Sequence, residues 1–142
     1  MPLVLDASAT LSWLLDDERD DLAVATLHAI RRFEAIVPGL WRWEIQNALL
    51  VAERRGRIDI EIVNALLADL DRLPIAVADP SHLALAAAEL TFARRYDMSA
   101  YDAAYLELSF RTGLPLITRD RKLSAAASDL GLLWSPAPGR KV

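Results

Sequence analysis

Five short apolar runs constrain this chain more than any other feature. They are Leu3-Val4-Leu5, Ala35-Ile36-Val37, Ile75-Ala76-Val77, Leu116-Ile117 and Leu132-Leu133-Trp134. None alternates apolar with polar residues, as a strand with one wet face does, so each reads as a strand buried on both faces. The stretches between them repeat at helical spacing: Leu22, Ala25, Ala29, Ile30 and Phe33, then Trp41, Ile45, Ala48, Leu49 and Ala52, then Val63, Leu66, Leu67 and Leu70. Further helices are expected from Ser8 or Ala9 to about Leu15, from Asp79-Pro80 (a cap and an N1 proline) to about Arg95, from Ser99 to near Gly113, and over 120–128. Asp59 reads as a cap and Gly56 as a stop. Strands alternating with helices imply an α/β fold: a three-layer α/β/α sandwich around a short parallel sheet of about five strands. Residues 1–135 are expected to form a single domain and 136–142 a flexible tail.

A chain of 142 residues buries roughly 70% of its unfolded surface, enough for one real core. The 54% hydrophobic content excludes a mainly disordered chain. No apolar run approaches the ~18–20 residues of a membrane span; Glu89 interrupts the nearest, LALAAAEL. The start MPLVLDAS lacks the basic region of a signal peptide. With no cysteine, disulfides, thiolate metal sites and cysteine nucleophiles are excluded, and a cytoplasmic location is expected. The net charge of −4 argues against a protein that coats nucleic acid by bulk charge, but leaves room for a local basic patch. Arginine supplies 14 of the 16 basic residues, which suits phosphate contacts and is explained more simply by a GC-rich genome that favours arginine codons.

Four acids stand where an α/β sheet binds ligands, past the carboxyl ends of its strands. Asp6 ends the first strand and Asp120 follows the fourth. Glu44 and Asp102 lie in the first turns of helices that begin at the same edge. Simpler roles exist for three of them. Asp102 completes the capping-box pattern Ser99-Ala100-Tyr101-Asp102, Asp120 suits an N-cap, and Glu44 suits a helix dipole. Asp6 is harder to explain, because an unpaired carboxylate after a buried strand is costly. Such a cluster calls for a divalent cation, and oxygen-only ligands favour Mg²⁺ or Mn²⁺ over Zn²⁺. Asn47 shares a helix face with Glu44. Ser8 and Thr118 each lie two residues from an acid. These three can orient a carboxylate or serve local structure.

The segments VLDASA, WEIQNALL, SAYDAAYLELS and LPLITRDRKL together, in this order, resemble the PIN-domain proteins, and among them the VapC-type toxins of bacterial toxin–antitoxin pairs. The resemblance covers nearly the whole chain. It implies that Asp6, Glu44, Asp102 and Asp120 form the catalytic, metal-binding set, with Asn47, Ser8 and Thr118 accessory. It also implies a Mg²⁺- or Mn²⁺-dependent endoribonuclease, homodimeric and silenced by a partner antitoxin. In such a site the divalent ion activates water for in-line attack on a phosphodiester and offsets phosphoryl charge. Arg42, Arg119, Arg121 and Lys122 lie near the acids in sequence and are candidates for holding the RNA backbone, or are ordinary solvated charge. Trp41 and Trp43, outside the general motif, are expected to pack. Trp13 and Trp134 are expected in the core or a dimer contact. His28 and His82 fall on helices away from the site.

Three other readings share the fold class. A phosphoacceptor receiver domain carries an acidic pair after its first strand and a lysine after its last, whereas Asp6 stands alone and no lysine follows Trp134 until Lys141. A haloacid-dehalogenase-type phosphatase requires Asp-x-Asp, and residue 8 is Ser. A noncatalytic interaction module would have no need of all four acids.

Overall fold

The computed structural model describes residues 1–15, 17, 19–78 and 83–136. Its elements run β1 (Leu3–Leu5), α1 (Ala7–Leu14), α2 (Asp21–Phe33), β2 (Ala35–Val37), α3 (Leu40–Arg54), α4 (Ile60–Asp71), β3 (Ile75–Val77), a 3₁₀ turn (Leu83–Leu85), α5 (Ala86–Tyr96), α6 (Ala100–Thr112), β4 (Leu116–Ile117) and α7 (Arg121–Asp129). The expected cap at Asp79-Pro80, His82 and the tail from residue 137 lie outside the described residues.

The strands form one parallel sheet in the order β3-β2-β1-β4. Helices cover it, giving the expected three-layer architecture with four strands rather than five. The expected fifth strand is reduced to a single parallel bridge, Leu116 to Leu133. The Leu116 amide donates to the Leu132 carbonyl at 2.7 Å, and the Trp134 amide donates back to the Leu116 carbonyl at 2.9 Å. Three residues beside the two-residue β4 find too short a partner to extend the ladder.

Central β1 is the most enclosed strand. Val4 and Leu5 are fully buried, and Ile30, Leu49, Tyr105, Leu106, Leu116 and Leu123 belong to the same core. Asp20, Asp59 and Asp120 cap α2, α4 and α7 by accepting the amides of Ala23, Ile62 and Leu123. Gly113 ends α6 in the left-handed conformation (φ 71°) that glycine adopts without strain.

The tryptophans of α3 part ways. Trp41, Ile45, Leu49 and Ala52 form the buried stripe, and the Trp41 indole donates to Thr10 Oγ1 at 3.0 Å. Trp43, also expected to pack, is 61% exposed, because two residues along a helix turn a side chain some 200°. The Arg42 guanidinium lies over its ring, 4.5 Å from the centroid. On α2, Leu22 and Phe33 are likewise more exposed than the helical stripe implied. Trp13 is buried and Trp134 packs partly against the core, while His28 is exposed on α2.

A candidate active site at the carboxyl edge of the sheet

The chain leaves β1 toward β2 on one side and β4 on the other, so the switch point of the sheet lies between β1 and β4. Asp6 is the next residue after β1 and Thr118 the next after β4. The Asp6 amide donates to the Ile117 carbonyl at 3.0 Å, extending the ladder to this edge.

Asp6 is only 4% exposed. Its Oδ2 accepts two hydroxyls, from Ser8 at 2.6 Å and Thr118 at 2.7 Å. These hydroxyl oxygens are held in turn: Ser8 Oγ accepts the Arg119 amide at 2.9 Å, and Thr118 Oγ1 accepts the Asp120 amide at 3.0 Å. The carboxylate is thereby fixed in direction while Oδ1 is left out of this pair of bonds. Glu44, in the second turn of α3, accepts the hydroxyl of buried Tyr105 on Oε1 at 2.6 Å. Tyr105 was legible in the sequence only as an inward-packing residue; its orienting bond to Glu44 depends on α6 lying beside α3. Asp102, in the first turn of α6, offers its amide to Ser99 Oγ at 3.1 Å. Asp120 caps α7 and yet faces the other acids.

The charges of the acids act on one another along this edge, Asp6 and Asp102 on Glu44, and Asp120 on Asp6 and Asp102. Burial pushes the Asp6 carboxyl above its ordinary range, against the pull of the Ser8 and Thr118 hydroxyls, and the charge of Asp120 adds to the rise. Glu44 is raised by burial and then by the charges of Asp6 and Asp102, with Tyr105 opposing. Asp102 is raised by burial and then by Asp120 and Asp6. Among the described residues, no group of three or more His, Cys, Asp or Glu side chains stands in position to hold a metal ion. The fit to a divalent cation is thus one of donor chemistry: repelling, oxygen-only ligands, as hard cations prefer.

The accessory and basic residues divide. Ser8 and Thr118 bind Asp6 directly. Asn47 is exposed, and no hydrogen bond joins it to the acids among the described residues. Arg119 grips Asp20 with two contacts, at 2.9 and 2.6 Å. Lys122 donates to the Asp97 carbonyl at 2.8 Å. Arg42 lies on Trp43, and Arg121 is exposed at the start of α7.

The raised acids set a pH dependence. A carboxyl whose folded pKa exceeds its unfolded value binds protons better in the native state, so the fold gains stability as pH falls through the folded value. For Asp6, Glu44 and Asp102 the window runs from their raised values down to the ordinary 3.8 to 4.5. Asp20 acts oppositely: the Arg119 guanidinium, foremost, holds its carboxyl below the usual range, so its contribution is lost only at more acidic pH. In EDTA, the melting temperature is expected to rise as pH drops from neutral toward the ordinary carboxylate range. Melts that fall monotonically over that interval would contradict the clustering of the acids.

The structure is thus a parallel α/β sheet with carboxylates near its switch point, the most buried of them, Asp6, oriented by two hydroxyls. The family model described as PIN domain matches residues 3–129, and the chain belongs to the PIN-domain family. It is 31% identical over 130 residues to the Ribonuclease VapC3 of Mycobacterium tuberculosis, with 87% of this chain and 86% of that one covered. It is 27% identical over 124 residues to the Ribonuclease VapC3 of Pyrobaculum aerophilum, with 87% and 93% covered. Among solved structures, PAE2754 from Pyrobaculum aerophilum matches with a TM-score of 0.66 at 24% identity, over 89% of this chain and 79% of that one; this likeness shows the fold. No helix among the described residues is long and apolar enough to cross a membrane.

Proposed function

We propose that this chain is a divalent-metal-dependent endoribonuclease and the toxin of a toxin–antitoxin pair. The observation that carries the reading is Asp6: a carboxylate almost wholly buried at the switch point, steered by Ser8 and Thr118, with Glu44, Asp102 and Asp120 close enough to perturb it or one another. The ribonuclease names of the relatives support the substrate. Asp6, Glu44, Asp102 and Asp120 would hold Mg²⁺ or Mn²⁺, which when bound activates water and offsets charge on the phosphoryl oxygens. The protein's own residues fix direction. Ser8 and Thr118 aim Asp6, Tyr105 aims Glu44, and the first turns of α6 and α7 present Asp102 and Asp120. Arg42 and Arg121 are the more accessible of the four basic candidates for the RNA backbone, since Arg119 and Lys122 would have to exchange protein partners for phosphate.

Incubating the purified protein with single-stranded RNA tests the activity. Cleavage is expected in Mg²⁺ or Mn²⁺ and none in EDTA, with activity returning when metal is restored in excess. Cleavage indifferent to EDTA would remove the metal from the mechanism.

The same reading brings with it a homodimer, a cognate antitoxin and a cytoplasmic setting. Exposed apolar side chains support protein partners, with Leu83 of the 3₁₀ turn and Leu90 of α5 open. Expression of the chain alone is expected to arrest growth, and Asp6→Asn to relieve the arrest. Equal growth of cells making either form would count against the toxin assignment while leaving the nuclease chemistry untouched.

A further inference from the structure

A second feature lies on the same edge, displaced from the acids toward β2 and β3. A cleft of about 370 Å³ opens between the start of α3, the end of β3, α5 and α6, with Leu40, Trp43, Val77, Glu89, Glu107 and Arg111 among its lining. This volume falls at the lower end of small-molecule sites, which span about 300–1,000 Å³. Three properties separate it from an ordinary surface groove. Trp43 brings an exposed indole to the wall, next in sequence to Glu44. Glu107 is only 5% exposed, a rare state for a glutamate. Arg111, one turn on, donates through Nε to Glu107 Oε1 at 2.8 Å, with Nη2 at a longer 3.4 Å from Oε2. None of the four acids lines the cleft, but it opens at the same carboxyl edge of the sheet, at Pro38-Gly39-Leu40 after β2 and Val77-Ala78 at the end of β3.

An aromatic wall facing a hydrogen-bond acceptor paired with a guanidinium is what a nucleobase requires. Its π-face stacks on the indole, and its edge meets both acceptor and donor. Guanine matches this pair best among the four bases. It presents two adjacent N–H donors, suited to a carboxylate, beside O6 and N7 acceptors, suited to arginine. Uracil lacks an amino group altogether. Single-stranded RNA, with bases free to splay out, is the form that can reach such a pocket.

We propose that the Trp43–Glu107–Arg111 cleft is a base-recognition subsite that seats a guanine of single-stranded RNA beside the carboxylate centre and so sets where the strand is cut. The proposal rests on the ribonuclease reading, deepening it from RNA to a preferred base. Trp43 stacks on the ring, Glu107 and Arg111 read its edge, and the neighbouring phosphodiester falls toward Glu44.

Two arms test it separately. In the first, guanosine monophosphate is titrated calorimetrically into the protein in EDTA, where no cleavage can occur. Saturable binding is expected, about tenfold or more tighter than for uridine monophosphate, with ribose 5-phosphate, which has no base, weaker still. Trp43→Ala, at an exposed position that leaves the fold intact, is expected to weaken guanosine monophosphate binding by about tenfold or more, and Trp43→Phe to restore much of it. Glu107→Gln should narrow the preference over uridine monophosphate. Equal binding of all three probes, or no effect of Trp43→Ala, overturns the subsite. In the second arm, cut sites are mapped on a mixed-sequence RNA with Mn²⁺ present. Wild type is expected to cut beside guanine, and Trp43→Ala to cut more slowly and with less preference. An unchanged cut pattern overturns the subsite and leaves the ribonuclease reading standing. Base-selective binding without any metal-dependent cleavage supports the pocket and sinks the ribonuclease reading instead.

Discussion

Asp102→Asn is expected to reduce metal-dependent RNA cleavage by ~10²–10⁴-fold while leaving the fold in place. The estimate takes loss of one charged metal ligand as several kcal/mol of transition-state stabilisation, at about 1.36 kcal/mol per factor of ten. The fold should tolerate the change. Asp102 is half-buried on the first turn of α6, and its carboxyl is raised by burial and by its neighbours Asp120 and Asp6. Removing the charge relieves that repulsion and forgoes a helix-dipole term of about 0.3–1 kcal/mol, so the two effects oppose. The backbone amide of residue 102 can still donate to Ser99 Oγ. Cleavage rates with saturating Mn²⁺, paired with melts in EDTA, separate the outcomes. If the mutant cuts at the wild-type rate, Asp102 is a helix-terminal residue and no more. If it unfolds early in EDTA, its role is structural.

The largest loss of stability is expected from Leu5→Ala. Leu5 is fully buried on β1, paired with Ile117 of β4, and stands directly before Asp6. Truncating a buried leucine to alanine destabilises by ~2–5 kcal/mol through lost transfer energy and residual cavity. For a domain of this length, at about 3–4 °C per kcal/mol, that corresponds to roughly 6–20 °C in melting temperature. Successive strand side chains point to opposite faces, so the void would lie across β1 from the Asp6 side chain; it would loosen the strand that carries Asp6, so activity should fall as well, even at temperatures where the variant remains folded. A shift of less than about 3 °C would mean that the surrounding leucines collapse into the space, and that the rigidity of β1 is not what positions Asp6.

Much of the fold is legible in the sequence because its physics is local. Leu3–Leu5 and Ala35–Val37 are too apolar to have a wet face, and the helices between the strands carry their own caps in Asp20, Asp59, Ser99 and Asp120. The fifth strand fails because its residues satisfy the same local rule as the others. Whether Leu132–Trp134 forms a ladder depends on the length of β4, and only two residues of β4 are extended. Trp43 was open to a better reading. With Trp41, Ile45 and Leu49 on the buried stripe, position 43 falls on the far side of α3.

The candidate site divides along the same line. That Asp6, Glu44, Asp102 and Asp120 share one edge follows from the alternation of strands and helices. That Thr118 and Ser8 converge on a single oxygen of Asp6 follows only from β1 and β4 being neighbours. Nothing in sequence spacing pairs residue 6 with residue 118. Likewise the commitment of Arg119 to Asp20 ties α7 to α2 across 99 residues, and turns a basic residue beside the acids into an internal brace. Long-range geometry of this kind decides which charges are oriented toward a substrate and which hold the scaffold.

Calorimetric titration of Mn²⁺ into metal-free protein near neutral pH, for wild type and Asp6→Asn side by side, tests the carboxylate centre most directly. Wild type is expected to bind Mn²⁺ saturably. Binding should weaken as pH falls, because carboxyls held above their ordinary range by burial and mutual repulsion must give up their protons when a cation joins them. Asp6→Asn should bind at least tenfold more weakly. Saturating Mn²⁺ should raise the wild-type melting temperature, with about 2.7 kcal/mol gained at 100 times the dissociation constant, and should leave the mutant nearly unmoved. Identical titrations for the two proteins, or no saturable binding to wild type, would contradict a divalent-metal centre built on Asp6.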